Sequence, residues 1–316
     1  MEIKVKWPKL LLRSIAYNNL AVLFGAGIPN EFGFPLWGTL IDELNEEFKV
    51  EFNSEQEEEL NNYISNNDYL EAMEFLNSID QEKVIDYMCR KFNKESYDSS
   101  ILDNSNELLL LKLDAHAYLT TNIDNSLEFT KSKAGKKSSI IYCYNKEDDI
   151  KDKLVFHDNE NDPLIIRLHG ELGEKKSFIF SSKQYSDLMN SNSYIFEKIL
   201  PALLLTSTTI IVGYSLSDPD IQLLFEKLYA VKGVWKNMFF LNTNKNMSNY
   251  QKNRMQEKYG IKVVDLNFDT TGHSEILKDS LKELLQIKEK IKGYSAVDKK
   301  ELFNKSDNQI IEALKK

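Results

Sequence analysis

Short apolar runs recur along this chain, and segments of helical periodicity separate most of them. The runs predict strands at 21–24, 117–121, 140–144, 163–168, 208–212, 238–241 and 261–265. Because they are apolar and rich in β-branched residues, they fit strands that are buried on both faces. Alternation of such strands with helices is typical of α/β proteins, in which helices cover both faces of a parallel sheet. The sequence therefore predicts a doubly wound, mainly parallel sheet.

The long interval between the first two predicted strands is helical in pattern. Residues 50–113 contain neither glycine nor proline, and apolar residues recur there at helical intervals. We interpret this interval as a helical insertion in one α/β domain that spans residues 1–292. Residues 293–316 follow a Gly-Tyr-Ser break and are strongly charged. They are predicted to be a C-terminal tail that forms a docked helix, contacts a partner or begins a further domain.

Composition excludes several classes of protein. The net charge of −9 provides no excess of cations for broad, nonspecific nucleic-acid binding. Cys89 and Cys143 are the only cysteines, so a zinc site of four thiolates is excluded and a reduced, cytoplasmic setting is the simplest expectation. The longest apolar runs are far shorter than the roughly 20 residues of a membrane span. We therefore expect no membrane segment and no direct binding of nucleic acid.

Four predicted strands end in glycine or polar residues. The segments are Gly25-Ala26-Gly27, Asn122-Ile123-Asp124, His169-Gly170 and Gly213-Tyr214-Ser215. Ligands of open parallel sheets bind at the carboxyl ends of the strands, so these four segments predict one shared pocket. A glycine turn after a strand also lets the backbone approach a phosphate group. Together they indicate a nucleotide site.

The glycine turn does not match the dinucleotide fingerprint of dehydrogenases. That fingerprint requires a third glycine where this chain has Asn30, and the next glycine is Gly33. Hydride transfer is therefore not favoured. A tight strand-to-helix turn that binds no ligand is the alternative explanation of Gly25 and Gly27.

The four segments resemble motifs of the sirtuins, the silent information regulator family. GAGIPNEFGFP resembles the sirtuin opening, TTNID the Gln-Asn-Ile-Asp motif, LHG the catalytic His-Gly, and GYS the Gly-Thr-Ser loop. The chain is more similar to the sirtuin-like NAD-hydrolase domains of bacterial anti-phage defence systems, such as the Thoeris effector and defence-associated sirtuins. Their pattern matches GYSLSDPD at 213–220, and the resemblance covers roughly residues 15–270. It implies a Rossmann-like fold.

The resemblance implies a role for each matching residue. Asn122 is expected to hold the nicotinamide ribose and to position a water molecule, and His169 to act as the general base on a ribose hydroxyl. A neutral histidine can accept that proton near pH 7. The remaining residues expected to contact NAD are Gly25, Ala26 and Gly27 at the pyrophosphate, Ile123 and Asp124 at the nicotinamide, and Gly213 and Ser215 at a phosphate or the adenine ribose.

Two departures from the sirtuin pattern bear on the activity. Pro29 stands where sirtuins have a serine, which removes a hydroxyl and stiffens the loop. The zinc-ribbon cysteines that help to shape the acyl-lysine cleft are absent. The resemblance therefore implies hydrolysis of NAD as substrate, without a metal, rather than deacylation. A protein deacylase and a noncatalytic module that binds NAD or ADP-ribose are the alternatives.

The implied biological role is anti-phage defence by depletion of NAD. Such an enzyme needs restraint, so the expected partners are further copies of the chain in a homo-oligomer, or a separate protein such as a helicase-like ATPase or an Argonaute-like protein.

Each site residue also has a purely structural explanation. His169 fits a buried core histidine, and Asn122 and Asp124 fit turn residues. Asp218 followed by Pro219 is typical of a helix start.

Overall fold

The computed structural model describes residues 2–156, 162–191, 193–214, 225 and 237–315. Within them, seven strands form one sheet in which every pairing is parallel. The strands are β1 Leu20–Phe24, β2 Ala117–Thr120, β3 Ile141–Cys143, β4 Leu164–Arg167, β5 Thr208–Val212, β6 Met238–Asn242 and β7 Ile261–Asp265. This confirms the predicted α/β, Rossmann-like fold, and each predicted strand is present.

Fourteen α-helices surround the sheet in the described part of the chain. They are α1 Lys9–Ala16, α2 Trp37–Phe48, α3 Ser54–Ser65, α4 Tyr69–Phe92, α5 Ser99–Asp103, α6 Asn106–Leu111, α7 Ser126–Lys133, α8 Glu147–Val155, α9 Ser182–Asn190, α10 Leu200–Thr206, α11 Asn249–Tyr259, α12 His273–Lys292, α13 Ala296–Asn304 and α14 Asp307–Lys315. Helix α1 ends at Ala16, and Asn18 adopts a left-handed conformation (φ 53°) before β1 begins.

The strand order is β3-β4-β2-β1-β5-β6-β7. From β1 the chain first builds the β2 side of the sheet and later returns to β5 on the other side of β1. Val22 consequently pairs with Tyr118 of β2 on one side and with Ile210 of β5 on the other. This reversal creates a crevice at the carboxyl ends of β1 and β5, which is where ligands bind in such sheets.

Both faces of the sheet are buried. All five residues of β1 are buried, with Leu20, Val22 and Phe24 in one apolar core and Ala21 and Leu23 in the other. The first core includes residues of α1, α6 and α12, and the second includes residues of α10 and α11. The burial on both faces explains why β1 is apolar throughout rather than alternating.

Residues 50–113 contain only helices as regular elements, and they form a layer beside the site. Apolar residues of α2, α3 and α4 pack there with Phe34, Ile123, Phe178 and Phe180 in a third core. The layer therefore places aromatic side chains next to the ends of β2 and β4.

The helices α13 and α14 pack on the main core. Leu302, Phe303, Ile310 and Leu314 are buried in the cluster that covers the first face of the sheet. The division into a domain of residues 1–292 and a tail of residues 293–316 stays a prediction. In the described part of the chain, no helix combines the length and the apolar character needed to cross a membrane.

Candidate active site

The glycine turn after β1 is bonded to the end of β5. The Gly25 N–H donates to Val212 O (3.1 Å), and the Gly27 N–H donates to Gly213 O (2.8 Å). Two of the three amides expected to face a pyrophosphate are therefore used within the protein. The Ala26 N–H meets no acceptor among the residues that the structure describes, so it is the amide of this turn that remains for an anion.

Close packing between the two strand ends requires glycine at three positions. A Cβ on Gly25 would lie 2.4 Å from the Tyr214 ring, and one on Gly27 would lie 2.9 Å from Gly213 O. Gly213 has φ +74°, and a Cβ there would lie 2.7 Å from Ile28 Cγ1. Close packing therefore explains these glycines without any ligand. From the sequence motif alone, this explanation could not be distinguished from phosphate binding.

Asn122 lies at the end of β2 and is tied to the glycine turn. Its Nδ2 donates to Gly25 O (3.1 Å), and its backbone N–H donates to Thr120 Oγ1 (3.0 Å). The Thr120 hydroxyl in turn donates to Phe24 O (2.8 Å). These bonds hold the carboxamide of Asn122 beside the end of β1.

His169 follows β4 and is 4% exposed. Its Nε2 lies 2.5 Å from the hydroxyl oxygen of Tyr185, and the two rings meet edge to face. Burial lowers the pKa of His169 to about 3, so the imidazole is neutral near pH 7. A neutral imidazole can accept a proton from a substrate hydroxyl.

Tyr185 was missed by the sequence analysis. It lies on α9, which begins with a capping box between Ser181 and Gln184. The Ser-x-x-Gln pattern is a readable signal for the start of that helix. Nothing in it indicates which residue of another element Tyr185 would contact.

Asp124 has a local structural role. Its Oδ1 accepts hydrogen bonds from the Ser126 N–H (2.9 Å) and the Ser126 hydroxyl (2.5 Å) at the start of α7. Burial raises the pKa of Asp124. Glu107, which the sequence analysis also missed, accepts from Ser126 Oγ (3.0 Å) and Thr130 Oγ1 (2.7 Å), and burial beside Asp124 raises its pKa as well. The two carboxyl groups are therefore disposed to hold protons.

A small cavity joins these elements. Its volume is about 50 Å³, and Ala26, Asn122, Asp124, His169 and the aromatic residue Trp37 are among its walls. Pockets for small molecules usually measure roughly 300–1,000 Å³, so the cavity between the described residues is small for a ligand. It lies at the carboxyl edge of the sheet, as the polar strand ends predicted.

The nine residues named from the sequence divide into three groups. Five line the cavity: Ala26, Asn122, Ile123, Asp124 and His169. Three pack together beside it, where the ends of β1 and β5 meet: Gly25, Gly27 and Gly213. Ser215 lies outside the described residues, as do Asp218 and Pro219. Among the residues that the structure describes, no three His, Cys, Asp or Glu side chains are grouped so as to hold a metal ion.

Glu31 adds a titratable group next to the glycine turn. It lies in the 3₁₀ turn Pro29–Phe32, and its Oε1 accepts a hydrogen bond from the Asn106 N–H (2.6 Å). Burial raises the pKa of Glu31 to about 7. The sequence did not indicate a role for Glu31, because a glutamate in a loop gives no signal of burial.

We expect Glu31→Gln to change how stability depends on pH. A raised pKa means that the folded chain holds this proton more tightly, so its contribution is complete below about pH 4.5 and is lost as the pH rises through 7. Glutamine removes that loss. Relative to the wild type, the free energy of unfolding of Glu31→Gln should therefore rise between pH 5 and pH 8 by on the order of 1–2 kcal/mol.

Urea unfolding at pH 5, 6, 7 and 8 measures this difference. The control is Glu58→Gln, which changes an exposed glutamate of α3 and should leave the pH profile unchanged. Parallel profiles for the wild type and Glu31→Gln would show that Glu31 does not titrate in this range.

Comparison with known proteins finds a family to which part of the chain is similar. Residues 116–264 match the model of the SIR2-like domain. The match includes β2, Asn122, His169 and Gly213, and it ends within β7; the glycine turn after β1 precedes it.

Several curated relatives are similar over a longer part of the chain. The NAD(+) hydrolase ThsA of Cytobacillus dafuensis is 26% identical over 255 residues, which are 79% of this chain and 47% of that protein. ThsA of Enterococcus faecium is 21% identical over 311 residues, covering 92% and 60%. Defense-associated sirtuin 2 of Bacillus subtilis is 22% identical over 267 residues, covering 83% and 24%. The chain thus spans less than two thirds of each of these relatives.

Proposed function

We propose that this chain, whose residues 116–264 match the model of the SIR2-like domain, hydrolyses NAD to nicotinamide and ADP-ribose. The observation that carries the proposal is the position of Asn122 and His169, which come from different strands and line one cavity with Ala26 of the glycine turn. That cavity lies at the edge of the sheet where nucleotides bind in such folds. The relatives named as NAD(+) hydrolases support the same reaction.

The proposed chemistry uses the two side chains differently. The bond between the nicotinamide nitrogen and C1′ of the ribose breaks, and its electron pair neutralises the pyridinium ring as nicotinamide leaves. The sugar becomes an oxocarbenium-like cation, and water adds to C1′ and releases a proton. Neutral His169 accepts a proton from a ribose hydroxyl, which supplies electron density to the cation. The proton that the added water loses restores this ribose hydroxyl, and the protonated His169 releases its proton to solvent. Asn122 positions the water with a fixed dipole that does not titrate.

The pyrophosphate is proposed to meet the turn after β1. In this turn the Ala26 N–H has no acceptor among the described residues, so it can donate to the pyrophosphate. Gly25, Gly27 and Gly213 contribute by letting the two strand ends approach, so that this amide lies at the mouth of the crevice. Ile123 and Asp124 are proposed to border the nicotinamide, and Ser215 to contact the adenosine half.

We infer that the described arrangement is a restrained one. A cavity of about 50 Å³ does not hold the nicotinamide riboside part of NAD. Tyr185 also occupies the Nε2 side of His169. Binding of NAD therefore needs a movement of Tyr185, or of the aromatic pair Trp37 and Phe180, whose rings meet edge to face at the wall of the cavity.

The wider role follows from the relatives and is proposed on that basis. Defense-associated sirtuin 2 and the ThsA proteins support a role as an effector of anti-phage defence that depletes NAD in the bacterial cytoplasm. An effector of this kind requires control, which we assign to formation of a homo-oligomer or to a separate partner such as a helicase-like ATPase or an Argonaute-like protein.

Incubation of the purified chain with NAD tests the activity. Nicotinamide and ADP-ribose should appear in equal amounts, without an acyl-lysine peptide, and more rapidly per chain at high protein concentration if oligomers are the active form. Release that requires the peptide would identify a deacylase. Binding of NAD without release at any concentration would indicate a noncatalytic module, and would contradict the proposed hydrolysis by this chain.

A further inference from the structure

A larger cavity lies at the opposite, amino-terminal edge of the sheet. Its volume is about 490 Å³. His116 and Pro163, which directly precede β2 and β4, lie in its wall, and the ends of α1 and α12 border it. We call it the amino-edge cavity. The proposed NAD hydrolysis does not use it, because Asn122 and His169 follow the carboxyl ends of the same two strands.

The amino-edge cavity is positively charged although the chain carries a net charge of −9. Two aspartates lie in its wall, Asp114 and Asp162. They face five lysines: Lys136, Lys153, Lys288, Lys292 and Lys299. The wall thus has an excess of three positive charges, and such a cavity concentrates anions.

Two of the lysines, whose side chains are nearly buried, share one half-exposed carboxylate. The side chains of Lys136 and Lys288 are 5% and 12% exposed. The Lys136 ammonium lies 2.7 Å from Asp114 Oδ1, and the Lys288 ammonium bonds to Asp114 Oδ2. The Asp114 side chain is 45% exposed, and the Lys288 ammonium also donates to Lys112 O (2.6 Å). One carboxylate faces two cations, so this cluster has one positive charge in excess. An anion in the cavity would offset this imbalance.

Two further lysines are placed to contact a ligand. Lys292 ends α12 and Lys299 lies on α13, and among the described residues neither forms an ion pair or a hydrogen bond through its ammonium. The wall between the charged groups is apolar and includes Ile15, Leu154 and Leu203. The cavity therefore combines cations for an anionic group with a surface for a flat, apolar one.

We propose that the amino-edge cavity binds a small phosphorylated molecule of mononucleotide size. A volume of about 490 Å³ lies within the roughly 300–1,000 Å³ of small-molecule sites. The phosphate contacts the lysine ammonium groups, which act as point charges toward it. The base or an equivalent ring lies on the apolar wall. This site and the one proposed for NAD lie at opposite edges of the sheet, so the two ligands do not compete for the same residues.

Calorimetric titration with three probes tests the proposal. The probes are adenosine monophosphate, adenosine and inorganic phosphate, each at low ionic strength. The monophosphate should bind at least about tenfold more tightly than either adenosine or phosphate alone, because only it satisfies both the lysines and the apolar wall. Equal affinity for the monophosphate and adenosine would overturn the proposal.

A pair of double variants locates the binding. Lys292→Glu with Lys299→Glu should weaken binding of the monophosphate about tenfold or more. The control is Lys282→Glu with Lys300→Glu, which makes the same charge change at exposed positions of the same two helices, α12 and α13, and should alter the affinity less than about twofold. Lys292→Gln with Lys299→Gln should give an intermediate loss.

Equal binding by the two glutamate variants would place the monophosphate outside the amino-edge cavity and contradict the proposal. The readout is binding rather than turnover of NAD, so its failure would not bear on the proposed hydrolase activity.

Discussion

Replacement of His169 by alanine is expected to lower NAD hydrolysis by about 10²- to 10⁴-fold, the range that general acid–base groups usually contribute. His169 is the titratable side chain of the cavity that burial keeps in its neutral, proton-accepting form near pH 7. Without the imidazole, only solvent can accept the proton of the ribose hydroxyl. Nicotinamide release per chain, measured at saturating NAD, gives the factor directly.

Asn122→Ala should give a loss of similar size through a different step. Its carboxamide is held by Gly25 O and is proposed to position the attacking water. Because the two side chains act on one transition state, the double variant should hydrolyse NAD only slightly more slowly than the less active of the two single variants. Asn66→Ala, which truncates an exposed asparagine after α3, is the matched control and should retain wild-type turnover.

A purely structural role would give another pattern. If His169 and Asn122 only pack the strand ends, both alanine variants should unfold more easily while the properly folded fraction hydrolyses NAD at the wild-type rate. Thermal unfolding of each variant, measured beside turnover, separates the two cases. Wild-type turnover in folded His169→Ala would remove this residue from the proposed mechanism.

Gly213→Ala is expected to lower the free energy of unfolding by about 3 kcal/mol or more. Two effects add at this position. The backbone has φ +74°, which costs an L-residue roughly 1–2 kcal/mol, and the new Cβ would lie 2.7 Å from Ile28 Cγ1 and 3.0 Å from Gly25 O. Backbone atoms cannot yield as a flexible side chain can, so overpacking adds roughly 1–3 kcal/mol.

Gly135→Ala isolates the conformational part, so its difference from Gly213→Ala gives the steric part. Gly135 has nearly the same conformation, φ +77°, but a Cβ there would have no heavy atom within 4 Å. It should therefore destabilise by about 1 kcal/mol, from conformation alone. Denaturant unfolding of both variants gives the difference. Equal losses would mean that the ends of β1 and β5 separate readily, and that the three glycines are not needed for their close packing.

The strands could be predicted because their signal is local. All residues of β1 and β5 are buried, so neither strand carries a charged residue, and the polar residues in them are the two threonines that begin β5. The ends of the strands were equally visible, since Asn122 and His169 follow directly after the apolar residues of β2 and β4. Parallel strands bring their carboxyl ends to one edge, and that geometry is sufficient to place five of the named residues around one cavity.

Contacts between distant elements could not be read in the same way. Tyr185 bonds to His169 from helix α9, and the Gly27 N–H donates to the carbonyl oxygen of Gly213, which follows β5. Both depend on distances of a few ångströms between segments that the sequence separates by 16 to 186 positions. The lysines of the amino-edge cavity are scattered from 136 to 299, so their common charge becomes visible only in space.

By itself the sequence determined the parallel sheet, the helical layer between β1 and β2, and the edge at which polar side chains gather, because periodicity and apolar character follow from the local environment of each residue. The tertiary structure alone decided which amide of the glycine turn remains for a ligand, that Tyr185 bonds to His169, that the cavity is small, and where an excess of positive charge collects. Those properties depend on packing between elements, and packing is set by the shapes and burial of residues that are not neighbours in the chain.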